Sequence, residues 1–214
     1  PAEMRARLSE LDDIANRKDA GNEYLFSGYA TLTKPFTQSG ASMTYLGDQG
    51  GRTLQIGSSQ YVADSHSGHE VFMAIPEGNG TFVVDATSTN TGTAVIGVGS
   101  VVDGTQWVPD DYTLQFTTAT GDYEIVDSAA NVVTTGVYTA GSAIAFRGVS
   151  VDMTGMPAMG DSFSIDRSRT EDIFMTLNNV IAALDSPATQ SEYEFHTEMG
   201  KALEQLEHTS DHLA

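Results

Sequence analysis

Apolar positions recur along this chain with one period at its two ends and another between them. Near the start, Met4, Leu8, Leu11 and Ala15 fall at spacings of four, three and four. That spacing lines one side of an α-helix, and Gly21 and Asn22 are expected to stop it. After residue 168 the pattern returns. Ser168-Arg169-Thr170-Glu171 has the form of a capping box, with Glu171 placed to reach back to the N–H of the cap residue. Ile173, Leu177, Val180 and Leu184 follow at the same spacings, flanked by Phe174 and Ile181. Ser186-Pro187 is expected to end this helix, because proline disfavours a helical residue before it. A further helix would carry Phe195, Met199, Leu203, Leu206 and Leu213 on one side.

Between the ends the period is two. Tyr112, Leu114 and Phe116 alternate with Thr113, Gln115 and Thr117, as they do on a half-buried strand. Ile144 and Phe146 alternate as well, and so do Val149, Val151 and Met153 after Gly148, where a bulge or bend is expected. Thr81–Ala86 and Thr93–Val102 are β-branched runs that read as strands. Turn signals at Gly78-Asn79-Gly80, Asp103-Gly104 and Gly121-Asp122 separate them. From Asn22 to about Ile75 the chain also reads as strand and turn, with Tyr24–Phe26, Met43–Tyr45 and Arg52–Ile56 as the apolar pieces.

A helix–sheet–helix order has a consequence for packing. A single amphipathic helix at either end cannot bury its stripe alone, so the first helix is expected to pack against the late ones. The fold class is therefore α+β. Residues 1–64 and 163–214 would form a helical core domain with a β-hairpin, built from both chain ends. Residues 65–162 would form an inserted β-rich outer domain, barrel- or sandwich-like.

The chain has 214 residues, enough for one large domain or two small ones. Its net charge of −19, from 29 acids against 10 bases, argues against nucleic acid or an anionic membrane as partner. There is no cysteine, so neither disulfides nor cysteine-based zinc sites can form. No run of 18 apolar residues exists to span a membrane. Residues 1–20 lack the apolar core of a secretory signal, and the chain opens on Pro1, which reads as a fragment or a processed chain.

Candidate chemistry is sparse. His66-Ser67-Gly68-His69-Glu70 has metal-ligand residue types, but not the spacing of a helical zinc pair, and reads as a solvated turn. Asp110 and Asp111 are adjacent, so on a strand they would point to opposite faces. His196, His208 and His212 fall in an acidic helix and read as exposed. Gly97-Val98-Gly99 lacks the third glycine of a dinucleotide loop. Asn79-Gly80-Thr81 matches a glycosylation acceptor and reads as a turn. No serine sits in a nucleophile elbow. The expectation is no catalytic residue, no cofactor and no metal.

Two stretches resemble a known family. Asn16–Phe36 reads NRKDAGNEYLFSGYATLTKPF and Gly160–Leu184 reads GDSFSIDRSRTEDIFMTLNNVIAAL. With the flanking helices, they are similar to the hook-associated protein 3 family, the junction between flagellar hook and filament. The turn from Asn22 to Gly28 also resembles flagellin, whereas Thr33-Lys34-Pro35-Phe36 and Gly160-Asp161-Ser162-Phe163 point to the junction protein. The resemblance implies a flagellin-like helical bundle and a structural, non-enzymatic role. It implies a ring of identical subunits that contacts hook-associated protein 1 on one side and flagellin on the other. It further implies an export chaperone, and passage through the flagellar secretion channel to an extracellular position without a cleaved signal. The outermost terminal helices of that family are missing here, so the chain by itself is expected to be monomeric.

Candidate residues for the core or for assembly are Leu8, Leu11, Tyr24, Leu25, Phe26, Phe36, Phe163, Ile173, Phe174, Leu177, Val180 and Leu184. Core is the favoured reading for Leu11, Leu177 and Leu184, while Tyr24, Leu25 and Phe26 fit interface and hairpin core equally. Two rival readings stand beside this one. Within the flagellum the chain would be a piece of flagellin or of hook-associated protein 1. In another class it would be a secreted adhesin or glycan-binding β module.

Overall fold

The computed structural model describes residues 2–39, 42–63, 65–185 and 192–213. The chain divides into two compact units, each of which uses residues distant in sequence.

The first unit takes residues 1–75, 170–185 and 209–214. It opens with α1 (Ala2–Ala15), which ends where Asn16 turns its side chain back onto Asp12. Gly21 and Asn22 lie in the turn beyond, and Asn22 has φ 66°. A hairpin follows, with β1 (Phe36–Ser39) antiparallel to β2 (Ser42–Tyr45) in the register Phe36 to Tyr45. A second hairpin pairs β3 (Thr53–Gln55) with β4 (Tyr61–Ala63). The short helix α2 (Gly68–Phe72) comes next, and then β5 (Ile75–Pro76).

The second unit takes residues 76–169 and 186–208. Its strands are β6 (Phe82–Ala86), β7 (Val95–Ile96), β8 (Ser100–Val101), β9 (Tyr112–Phe116), β10 (Asp122–Val126), β11 (Val132–Val137), β12 (Ala143–Phe146), β13 (Val149–Thr154) and β14 (Ser162–Arg167). They make a five-stranded antiparallel sheet in the order β11-β10-β9-β14-β6 and a smaller sheet, β12-β13-β7, with β8 also on β13. The inward residues of both sheets share one core. Tyr112, Leu114, Phe116, Phe163 and Ile165 come from the larger sheet, and Ile96, Ile144, Val149, Val151 and Met153 from the smaller. This is the sandwich form of the β-rich domain.

The chain then returns to the first unit with β15 (Thr170–Glu171), paired to β5, and α3 (Ile173–Asp185). The last helix is α4 (Glu192–Leu213).

Several sequence expectations change. The helix after residue 168 begins at Ile173, because Asp172 caps it by accepting the Met175 N–H at 2.6 Å. Thr170 and Glu171 are drawn into β15, so no capping box forms. The run Thr93–Val102 is not one strand, since Gly97 to Gly99 interrupt it between β7 and β8. Gly148 is the second residue of a two-residue hairpin turn and no bulge, because Phe146 pairs directly with Val149, with φ 43° at Arg147 and 75° at Gly148. Residues 66–70 are not a solvated turn. Ser67 is buried and caps α2 through the Glu70 N–H.

The division between units falls at 75/76 and 169/170, where the sequence suggested 64/65 and 162/163. Two packing facts set it. Phe72 of α2 stacks on Phe36 and Phe174 of the first unit. Strand β14 is an interior strand of the five-stranded sheet, between β9 and β6, and Phe163 on it belongs to the sandwich core.

In the first unit α1 packs on α3, with Arg5 ion-paired to Asp185. The last helix divides, and its residues from Thr209 onward cluster with the first unit. Through His208, α4 clusters with the β-rich unit, where Lys201 pairs with Asp85 at 2.7 Å and Gln205 donates to the Pro76 carbonyl and accepts from the Gly78 N–H. Its buried face carries Gln205 and Thr209, while Leu203 is 61% exposed. The side chains of Phe195 and Leu213, and the pair Ser186-Pro187, lie outside the described residues.

Candidate functional site

The first sequence motif lies in the first unit, and the second is divided, with residues 160–169 in the second unit and 170–184 in the first. In the first unit the motif Asn16–Phe36 wraps an aromatic cluster. The ring of Phe36 is fully buried and meets Tyr45, Phe72 and Phe174 at centroid distances of 5.1, 5.4 and 5.4 Å. Phe26 completes the group edge-on to Phe72 at 5.0 Å. Such offset and edge contacts add to simple burial. Asn16 closes the motif on itself. Its amide donates to Asp12 and its carbonyl oxygen accepts the Phe36 N–H at 3.0 Å.

Asp48 holds the far side of the same loop by accepting the N–H groups of Tyr29 at 2.9 Å and Gly50 at 2.8 Å. Those two donors, Tyr29 first, hold its carboxyl below the usual carboxylate range. Gly28 must be glycine here. It has φ 67°, and a Cβ would lie 2.2 Å from the Asp48 carboxylate and 2.4 Å from its carbonyl oxygen.

In the second unit the motif beginning at Gly160 is organised by Asp161. This carboxylate is buried and accepts three backbone N–H groups, from Thr91 at 2.8 Å, Gly92 at 3.0 Å and Ala158 at 2.8 Å. Asn90 and Ser162 exchange two further bonds beside it, at 2.9 and 2.8 Å. A buried charge needs this degree of satisfaction. The loop 87–93 is thereby fastened to 156–162 next to the core strand β14.

The candidate residues fall into three groups. Phe36, Ile173, Phe174, Leu177 and Val180 are buried in the first unit. Leu8, Leu11, Tyr24, Leu25, Phe26 and Leu184 are half-buried. Leu8 and Phe174 both line a half-open cavity of about 210 Å³ between α1, the β1–β2 hairpin and α3. Phe163 stands apart from both groups, in the sandwich core. Periodicity missed Tyr45, Phe72, Asn16, Asp48 and Asp161. Single polar residues and isolated rings carry no period; Asn16 and Asp161 stand inside the two motifs, whereas Tyr45, Asp48 and Phe72 lie outside them.

The acidic pair behaves as two separate groups. Asp111 pairs with Arg169 at 3.2 Å and faces Arg167 at 3.6 Å. Asp110 turns to Ser128, whose hydroxyl lowers its pKa. Asn79 accepts from the Thr81 and Phe82 N–H groups, which makes it a turn residue. His66 meets Glu70 at 3.4 Å on the surface. No group of three or more metal-ligand side chains gathers among the described residues.

No family model matches the chain. It is 33% identical to the flagellar junction protein FlgL of Legionella pneumophila, whose crystal structure it matches with TM-score 0.91 over 99% of this chain and 69% of that one. A crystal structure of flagellar hook-associated protein-3 from Legionella pneumophila gives 35% identity, TM-score 0.91 and the same coverage. FlgL of Xanthomonas campestris gives 32%, TM-score 0.89, and 99% and 70% coverage. Among curated proteins, flagellar hook-associated protein 3 of Salmonella typhimurium is 30% identical over 84 residues, which are 37% of this chain and 26% of that protein. The chain belongs to the flagellar hook-associated protein 3 family.

Proposed function

We propose that this chain is part of a structural subunit at the hook–filament junction of a bacterial flagellum. The carrying observation is the match to FlgL and hook-associated protein-3 structures over 99% of this chain at 33–35% identity. Each unit is compact, and the β-rich one closes around its own buried core, which suits a protein that acts by shape. In this reading the subunit forms a ring with identical copies, contacts hook-associated protein 1 on the hook side and flagellin on the filament side, and is delivered by an export chaperone. It does no chemistry, and its place is outside the cell.

Deletion of the gene tests the reading by electron microscopy. Cells should carry hooks without filaments and shed flagellin into the medium. Filaments of ordinary number on the deletion strain would overturn it.

A further inference from the structure

The chain holds 29 acids against 10 bases, and six of those bases make ion pairs: Arg5, Arg7, Arg52, Arg167, Arg169 and Lys201. Arg17 and Lys34 are exposed and meet no carboxylate among the described residues. Lys18 donates to Asn22 and lies 4.6 Å over the Tyr24 ring, so its charge also stays uncompensated. These three belong to one loop system of the first unit, and the tenth base, Arg147 of the β-rich unit, donates to the Tyr112 hydroxyl. The Phe36 N–H donates to Asn16, Leu25 to the Arg17 carbonyl, Tyr24 to Thr31, and Leu46 to Pro35, at 3.0, 3.0, 2.8 and 2.7 Å.

The same knitted surface exposes large apolar side chains. Leu32 is 83% exposed, Tyr29 67% and Leu46 50%. Tyr29 is fixed at both ends, by its N–H on Asp48 and its hydroxyl on the Gly51 carbonyl at 3.0 Å. A rigid aromatic, a projecting leucine and a cationic rim have the composition of a docking surface. The charge says what docks. Residues 16–36 carry three bases against two acids, while residues 76–169 of the β-rich unit carry three against eleven.

We propose that this loop surface of one copy receives the acidic β-rich unit of a second copy, with Leu32 as the inserted anchor. The proposal rests on the junction reading above. It makes the contact heterologous, one patch against a different patch, which generates a ring when its rotation closes. Opposite charge across the contact steers the encounter and sets its orientation.

None of these 214 residues is a cysteine, so none of them adds a disulfide of its own to the test. The full-length protein with Leu32→Cys is co-expressed, in the gene-deletion strain, with a tagged copy carrying Asp103→Cys, Asp122→Cys or Asp127→Cys. Isolated flagella are then oxidised with copper phenanthroline. A disulfide-linked heterodimer is expected with at least one of the three, and Lys34→Glu in the first copy should lower its yield at least fivefold. Dimers of the Leu32→Cys copy with itself alone, or no heterodimer with any of the three, would overturn the proposal.

The double variant Leu32→Asp, Lys34→Glu separates the two ideas. It should be exported normally and reduce filament number at least tenfold. If the deletion strain keeps its filaments, the junction reading fails. If the deletion strain loses them and the double variant restores wild-type numbers, only the docking proposal fails.

Discussion

The ring of Phe36, at the start of β1, lies 5.4 Å from the ring of Phe174 in the first turn of α3, both fully buried. This contact joins the early hairpin to the returning chain, and Phe72 packs on both rings. Phe174→Ala would open a cavity beside the existing one and cost the first unit about 3–5 kcal/mol. Hydrogen exchange should show protection falling in α1, the β1–β2 hairpin and α3 together, while the sandwich strands keep theirs. Loss confined to α3 would mean that the hairpin is held independently.

Asp161 predicts a different kind of failure. Asp161→Ala strands three buried N–H groups at Thr91, Gly92 and Ala158. With each orphan donor costing on the order of 1–3 kcal/mol, the β-rich unit should lose at least about 3 kcal/mol. Asp161→Asn keeps one acceptor oxygen and should lose less. Chemical denaturation followed by Trp107, which packs on the sandwich core, reads both.

The strand order makes a sharp statement about truncation. A piece ending at residue 162 lacks β14, the strand between β9 and β6. Residues 65–162 should therefore be unfolded or aggregated, while residues 76–169 should give a cooperative β-type melt in circular dichroism. A folded 65–162 piece would show that β14 is dispensable.

The pH dependence has two opposing parts. Backbone and hydroxyl donors lower the pKa of Asp48, Asp103, Asp110, Asp122 and Asp127, so each adds stability above the ordinary carboxylate range, near pH 4, that is lost as pH falls through its lowered value. Desolvation raises Asp166 and Asp172, so each costs stability at neutral pH, and that cost is relieved as pH falls through the raised value. The melting temperature should hold or rise slightly as pH falls toward 4 and drop below it. Asp166→Asn should raise it at pH 7, with the gain vanishing near pH 4.

Much of the fold was legible because local patterns decide it. The alternation Tyr112-Leu114-Phe116 became β9, with those three residues buried. The stripe Ile173, Leu177, Val180 became α3, with the same residues inward. The motif residues pointed to the family by their identities, and Asn16, Gly28 and Asp161 each hold a backbone geometry that other residues would not.

Tertiary structure decided what local pattern leaves open. Thr170 and Glu171 satisfied the capping rule yet joined a strand, because β5 offered their backbone a ladder and Asp172 could cap in their place. Met199, Leu203 and Leu206 suggested an apolar face for α4. The β-rich unit offered Asp85, the Pro76 carbonyl and the Gly78 N–H instead, so Lys201 and Gln205 turned inward and Leu203 outward. Phe163 sat at a boundary by sequence and belongs to a core by topology, since β14 is an interior strand of its sheet, between β9 and β6. A sequence fixes which side chains seek burial through their solvation and spacing. Which surface receives them depends on the partners that distant segments bring, and those appear only when the chain has closed on itself.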